Sequence, residues 1–120
     1  MLKRILLTLT TCATLLAPTL SQATIASWYG DSPWEGRKTA SGEVFRSHSM
    51  TSACAPQYKL HIKLLVTNIK NDKSVIVKCN DRGSFHKAKY GYRSLDLSKG
   101  AFSKIAPLGQ GVVKINIKQL

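Results

Sequence analysis

The sequence predicts an all-β domain, either a barrel or a sandwich, because many short strand-like segments are separated by turn residues. The clearest strand closes the chain, where Val113, Ile115 and Ile117 alternate with polar residues in the period-2 pattern of a strand with one wet face. One short helix is predicted beside these strands. The length of 120 residues, without repeats or low-complexity linkers, indicates a single domain.

Local signals place each element. The segments 61–69 and 73–80 flank the turn residues "KND" and are therefore predicted to form a β-hairpin. Ser98 is a suitable N-cap for a helix from about Lys99 to Ile105, and Pro107 helps to end it. The predicted strands are 24–29, 61–69, 73–80, 93–97 and 111–120.

A polar stretch, Gly30 to Ser49, interrupts this pattern with three glycines, a proline and weak periodicity. Such a long segment is usually a functional loop or a disordered one. The nearby Trp28, Tyr29 and Trp34 favour order, and aromatic faces of this kind commonly stack on sugars. Core packing is the ordinary alternative for a tryptophan.

Residues 1–23 have the three-part layout of a secretory signal peptide. Lys3 and Arg4 form a basic start, an uncharged apolar segment follows, and "SQA" places small residues before the cut. The apolar segment is shorter than the roughly 20 residues that a membrane anchor needs, so we expect no stable anchor. Lipidation at Cys12, in "LTTC", is a minor alternative. The predicted mature domain, residues 24–120, is exported to the periplasm, the cell envelope or the medium.

Positive charge indicates the class of partner. Loss of Lys3 and Arg4 takes the formal charge from +12 to +10. A basic domain would ordinarily suggest nucleic acid, but export makes anionic envelope polymers such as peptidoglycan the expected partners, with no nucleic acid. Alternatively, most lysines only keep the protein soluble. We expect a monomer.

Two cysteines, Cys54 and Cys79, remain in the predicted mature chain. An even pair in a small exported domain suggests a disulfide, with two buried thiols as the alternative. No CxxC, HExxH or Cys/His cluster occurs, so we predict no metal site.

Asp81, in "KCNDRGSF", is the carboxylate best placed for chemistry because it ends a predicted strand. Cleavage of a glycosidic bond needs a protonated acid, and a carboxyl group acquires the needed raised pKa by partial burial. The alternative is that the aspartate caps the turn through an Asx hydrogen bond. Spacing alone leaves the two equal.

Seven ordered pieces resemble the rare lipoprotein A (RlpA) family: "ASWYG", "GRKTASGE", "MTSA", "LLVTNI", "VIVKCNDRGSF", "SLDLS" and the closing "GVVKINI". The resemblance runs from about Ala26 to Ile117. It implies a six-stranded double-psi β-barrel with one or two short helices, the fold of expansins and barwin-like proteins. It also implies an endolytic peptidoglycan lytic transglycosylase, which cuts naked glycan strands between N-acetylmuramic acid and N-acetylglucosamine, leaves 1,6-anhydro ends and needs no cofactor.

The resemblance also assigns roles to residues. The aspartate of "NDRG" falls on Asp81, the expected general acid and base, and the glutamate of "TASGE" falls on Glu43, expected across the groove. Asp96 of "SLDLS" is interpreted as more structural than catalytic. Substrate contacts are expected from Trp28, Tyr29, Arg82, Thr39 and Ser41.

One departure concerns a histidine of the family, whose position here is Cys54. Its role is dispensable, filled by another group or lost. The coincidence of Cys54 with Cys79 is what a disulfide between the loop and the catalytic strand would produce. Two other functions therefore stay open: a non-catalytic expansin-like or barwin-like glycan-binding module, and a secreted effector or inhibitor.

Overall fold

The structure is a computed structural model that describes residues 22–83, 85, 87–88 and 91–120. Residues 1–21 of the predicted signal peptide lie outside the described residues. The ranges described contain no helix long and apolar enough to cross a membrane. In chain order the elements are β1 (Gln22–Tyr29), β2 (Thr51–Cys54), β3 (Lys63–Asn68), β4 (Ser74–Arg82), β5 (Lys87–Ala88), β6 (Gly91–Ser98), α1 (Lys99–Ile105), a 3₁₀ turn (Leu108–Gln110) and β7 (Val113–Gln119).

Six of the strands close into a barrel. Around the ring the order is β1, β7, β3, β4, β2 and β6, and β6 pairs back with β1. The pairs β1–β6 and β2–β4 are parallel, and the other four are antiparallel. The short β5 pairs with β6 outside the ring. Closure leaves the six strands without a free edge, and the predicted all-β barrel is confirmed.

Two elements predicted from local sequence patterns, the hairpin and the helix, are present in the structure. The predicted hairpin is the antiparallel pair β3–β4. The Ser98 side chain accepts a hydrogen bond from the Ala101 N–H and caps α1, which covers the predicted range. Strand β2 was missed, because its four residues are all buried and show no alternation.

The core lies inside the barrel and includes a disulfide. Leu64, Val66 and Val77 are fully buried there, and Phe102 of α1 covers one side. Cys54 and Cys79 are also fully buried and form a disulfide between β2 and β4. The predicted disulfide is therefore present in the fold.

A one-residue bulge in β4 decides which way Asp81 points. Ser52 of β2 pairs with Cys79, but the next residue, Ala53, pairs with Asp81, so Asn80 is the extra residue. Without it, the alternation that buries Val77 and Cys79 would turn Asp81 into the core. The bulge moves the Asp81 side chain to the outer face of the barrel.

Candidate active site

The Asp81 carboxylate receives three hydrogen bonds from the protein. Its Oδ2 accepts from the Tyr29 hydroxyl at 3.1 Å. Its Oδ1 accepts from the backbone N–H of Ala40 at 3.0 Å and from that of Arg82 at 2.9 Å. The bond to the next residue's N–H resembles the turn-capping role expected from sequence. The other two bonds come from distant segments, so Asp81 is fixed in orientation by more than its own turn.

The Ala40 donor is supplied by a tight turn that sits on the bulge of β4. Ser41 N–H donates to the carbonyl of Asn80 at 3.0 Å, and Gly42 N–H donates to the Thr39 carbonyl at 2.9 Å. Gly42 has a φ of +92°, which side chains rarely adopt, so the turn requires a glycine there. The bulge thus aims Asp81 outward and anchors the loop that holds it.

Aromatic rings form the surface beside Asp81. Tyr29 stacks on Phe45 with ring centroids 4.6 Å apart and meets the edge of Trp34 at 5.9 Å. Burial, with the nearby Asp81 charge and hydrogen bond, raises the pKa of the Tyr29 phenol well above its usual range. Tyr29 therefore stays a proton donor to Asp81. Trp34, which sequence reasoning noted without assigning to the site, is 45% exposed at the groove.

Two adjoining depressions of ≈ 240 and ≈ 280 Å³ meet at Asp81 and form the candidate groove. They share Tyr29, Trp34, Asp81 and Arg82. Beyond these, the first is lined by Arg37, Lys38, Thr39 and Phe45, and the second by Ala53, Gly83, Arg93 and Asp96.

Asp96 is a second carboxylate in this groove. Ala53 of β2 pairs with Asp81 on one side and with Asp96 of β6 on the other, so the two aspartate backbones lie about 10 Å apart. Asp96 accepts a hydrogen bond from the Ser27 hydroxyl at 2.9 Å. Burial raises the pKa of the Asp96 carboxyl, while Ser27 and the Arg93 charge oppose that rise. Its contact with Ser27 on β1 agrees with a structural role.

Arg82 is held by the protein. Its Nη1 donates to the carbonyls of Cys54, Ala55 and Tyr58 at 3.2, 3.1 and 2.6 Å. The guanidinium therefore fixes the segment that follows β2, while the residue still lines the groove.

Glu43 is ion-paired on the outer surface. Its Oε2 lies 2.6 Å from Nζ of Lys78, and the Lys78 hydrogen bond holds the pKa of the Glu43 carboxyl below its usual range. Glu43 is absent from the described residues that line the two depressions. The described side-chain contacts of Glu43 are with Ser41 and Lys78 and not with Asp81, and the catalytic role expected of Glu43 stays a prediction.

The remaining predicted contacts divide between groove and core. Trp28 packs near Phe102, with its Nε1 donating to the Leu108 carbonyl at 3.0 Å. Because neighbours on a strand face opposite sides, Tyr29 reaches the groove and Trp28 does not. Thr39 lines the groove but donates to the Glu43 carbonyl at 2.8 Å, and the Ser41 hydroxyl bonds within the same turn.

No group of three or more His, Cys, Asp or Glu side chains among the described residues could hold a metal ion.

Several known proteins have a related sequence or a related fold. The endolytic peptidoglycan transglycosylase RlpA of Neisseria meningitidis is 42% identical over 99 residues, which cover 79% of this chain and 37% of that relative. Among solved structures, the Streptomyces papain inhibitor matches with a TM-score of 0.65 and 23% identity, covering 84% of this chain and 94% of that one.

A mutant expansin of Clavibacter michiganensis, in complex with cellohexaose, matches with a TM-score of 0.64 and 20% identity, covering 84% of this chain and 50% of that one. These structural matches show the fold, a double-psi β-barrel. A family model described as lytic transglycolase matches residues 21–117. The chain therefore belongs to the lytic transglycolase family, and its resemblance to RlpA is confirmed.

Proposed function

We propose that this domain is an endolytic peptidoglycan lytic transglycosylase that cuts naked glycan strands between N-acetylmuramic acid and N-acetylglucosamine. The observation that carries the proposal is Asp81, which projects from a rigid strand into an aromatic-lined groove and is oriented by Tyr29 and Ala40. Membership of the lytic transglycolase family supports it.

In this mechanism a protonated Asp81 gives its proton to the bridging oxygen as the bond from C1 of the muramic acid breaks. The carboxylate that remains is stabilised by the Tyr29 hydroxyl and the Ala40 N–H. It then takes the proton of the C6 hydroxyl while that oxygen bonds to C1. Asp81 ends protonated, ready for another cycle, and water enters no product. We propose that Glu43 also contributes to the reaction, from a position outside the described lining of the groove, and that no cofactor takes part.

Isotope labelling distinguishes this reaction from hydrolysis. Denuded glycan strands are digested in H₂¹⁸O, and the ends are analysed by mass spectrometry. The proposal predicts anhydro-muramic ends without ¹⁸O. New reducing ends that carry ¹⁸O and increase with digestion time, compared with strands kept in H₂¹⁸O without protein, would contradict the proposal and indicate an ordinary two-carboxylate hydrolysis.

A non-catalytic glycan-binding module is the second candidate. It is favoured by Cys54, which stands in the disulfide at the family's histidine position, and by the Glu43–Lys78 ion pair. It predicts that the protein pellets with insoluble peptidoglycan and releases no fragments, whereas the transglycosylase releases fragments that increase with time.

We further propose that residues 24–120 act in the cell envelope after export and removal of residues 1–23. Gln22 and Ala23 pair with Ile117 and Asn116 of β7, so a cut after Ala23 would shorten β1 by two residues. The mass of the exported protein tests this boundary: a chain beginning at Thr24 supports it, and an uncut or lipid-bearing chain contradicts it.

A further inference from the structure

We propose that Arg37 and Lys38 form a subsite for the free lactyl carboxylate of muramic acid. This inference rests on the proposed function, since it places a muramic-acid-containing strand in the groove. The subsite would explain a preference for strands without stem peptides. It assigns that preference to two residues that take no part in the proton transfers.

The first argument comes from the positive charges that line the groove, which are Arg37, Lys38, Arg82 and Arg93. Arg82 is committed to three backbone carbonyls. Arg93 donates to the Ser27 hydroxyl, and its charge acts on the half-buried Asp96. Two of these four cations, Arg82 and Arg93, are therefore engaged in contacts within the protein.

Arg37 and Lys38 are in a different situation. Across the part of the chain that the structure describes, the ion pairs are Arg46–Glu35, Lys78–Glu43 and Lys99–Asp31, and neither Arg37 nor Lys38 belongs to any of them. Both residues are exposed. Two adjacent cations at one end of a groove, outside the ion pairs of the described residues, create a positive potential that attracts an anionic ligand.

The second argument is the position of the Arg37 guanidinium. Its Cζ lies 6.0 Å from the centroid of the Trp34 ring, within the range of a cation–π contact. That contact limits the freedom of the side chain and leaves the planar fork able to bind a carboxylate through two hydrogen bonds. Lys38 can supply a more flexible charge beside it.

The third argument is the path from these cations to the acid. Trp34 meets Tyr29 edge-on at 5.9 Å, and Tyr29 donates to Asp81. A glycan that passes from Tyr29 to Trp34 would have a sugar near Asp81 and another near Arg37. The subsite would therefore bind a substituent of the same glycan strand that is cut at Asp81.

Glycan chemistry identifies that substituent. Each muramic acid carries a lactyl ether, whose carboxyl group is free and negative in a naked strand but becomes a neutral amide when a stem peptide is attached. At the lactyl position itself, Arg37 and Lys38 can pair with the free carboxylate and not with the amide. A neutral glycan of N-acetylglucosamine offers them no such group.

Binding measurements on catalytically blocked protein test the inference. Asp81→Asn protein prevents cleavage, and calorimetry compares denuded strands with the same strands after carbodiimide coupling of the lactyl carboxylates to methylamine. We expect Arg37→Gln/Lys38→Gln to weaken binding of the denuded strands about tenfold and to change binding of the amidated strands less than about twofold. Arg37→Lys should retain part of the affinity, because it keeps the charge without the planar fork.

The matched control is Lys70→Gln/Lys73→Gln, at the β3–β4 turn, which removes the same two charges at the opposite end of β4 from Asp81. An equal loss with the control pair, or an equal loss for amidated strands, would overturn the subsite. Thermal unfolding confirms that each variant is folded. Because binding is measured without cleavage, the two proposals can be judged separately. The binding data can contradict the subsite while anhydro products still form, and they can support it even if no cleavage is found.

Discussion

The hydroxyl of Tyr29, at the end of β1, donates a 3.1 Å hydrogen bond to Oδ2 of Asp81 on β4. These two strands are not neighbours in the barrel, because β6 and β2 lie between them. The bond therefore joins two strands that are not adjacent and fixes the carboxylate against the aromatic surface. Ala40, on the opposite loop, holds the other carboxylate oxygen.

Tyr29→Phe tests this bond directly. The ring can keep its packing on Phe45, but the donor to Asp81 is lost. We expect turnover on denuded strands to fall roughly tenfold, because a hydrogen bond to a charged group is removed while the ring surface remains. Kinetics should show the loss in kcat more than in KM. A change confined to KM would mean that the hydroxyl binds substrate and does not orient the acid.

Removal of the disulfide should lower stability. Cys54 and Cys79 are 25 residues apart in sequence, so their bridge restricts the unfolded chain. We expect Cys54→Ala/Cys79→Ala to reduce the free energy of unfolding by about 3 kcal/mol in urea denaturation. Wild-type protein unfolded with reductant should approach the same value. Equal stability of the double variant and the oxidised protein would contradict this role.

Asp96→Asn should stabilise the fold at neutral pH. Burial raises the pKa of Asp96, so the folded state disfavours its ionisation. At a pH well below the ordinary aspartate pKa of about 3.9, Asp96 is protonated in both the folded and the unfolded chain. Wild type and variant should therefore be equally stable there. As the pH rises through the folded pKa, the wild type loses stability that the asparagine variant keeps. Thermal unfolding from pH 3 to pH 8 measures the gap, and a gap that shrinks with rising pH would contradict the burial effect.

Glu43→Gln should show the opposite pH dependence. The Lys78 hydrogen bond lowers the pKa of Glu43, so this carboxylate contributes stability above its ordinary pKa and loses it as the pH falls through the lower folded value. The variant should therefore be less stable than wild type at pH 7, with a difference that shrinks in acid. The effect should be small and should weaken in salt, because the pair is partly exposed. A pH-independent difference would show that the ion pair is not its source.

The sequence predicted the parts of the fold that depend on local patterns. Ser98 capping α1 and the turn between β3 and β4 are local signals, and both are confirmed. The closed order of the ring was available only through the family resemblance, since it depends on pairings between distant strands. The disulfide was predicted from an even pair of cysteines in a chain expected to be exported, and the fold brings Cys54 and Cys79 together.

Less of the site could be predicted from the sequence, because its geometry depends on the register between paired strands. The outward direction of Asp81 depends on the bulge at Asn80, which has no local sequence signature. The donor to Oδ1 is a backbone N–H, that of Ala40, so the type of residue could not reveal it. Alternation along β1 offered a signal that only one of Trp28 and Tyr29 could face the groove, but not which.

Asp81→Asn measures the central claim most directly. The variant keeps the size of the side chain and removes its ability to exchange a proton, and Asp72→Asn, in the β3–β4 turn, is the matched control. The release of anhydro-muramic ends from denuded strands should fall by roughly 10²–10⁴-fold in Asp81→Asn, while glycan binding and the Asp72→Asn rate stay near wild type. Anhydro ends released by Asp81→Asn at the wild-type rate would contradict the assignment of Asp81 as the acid and base.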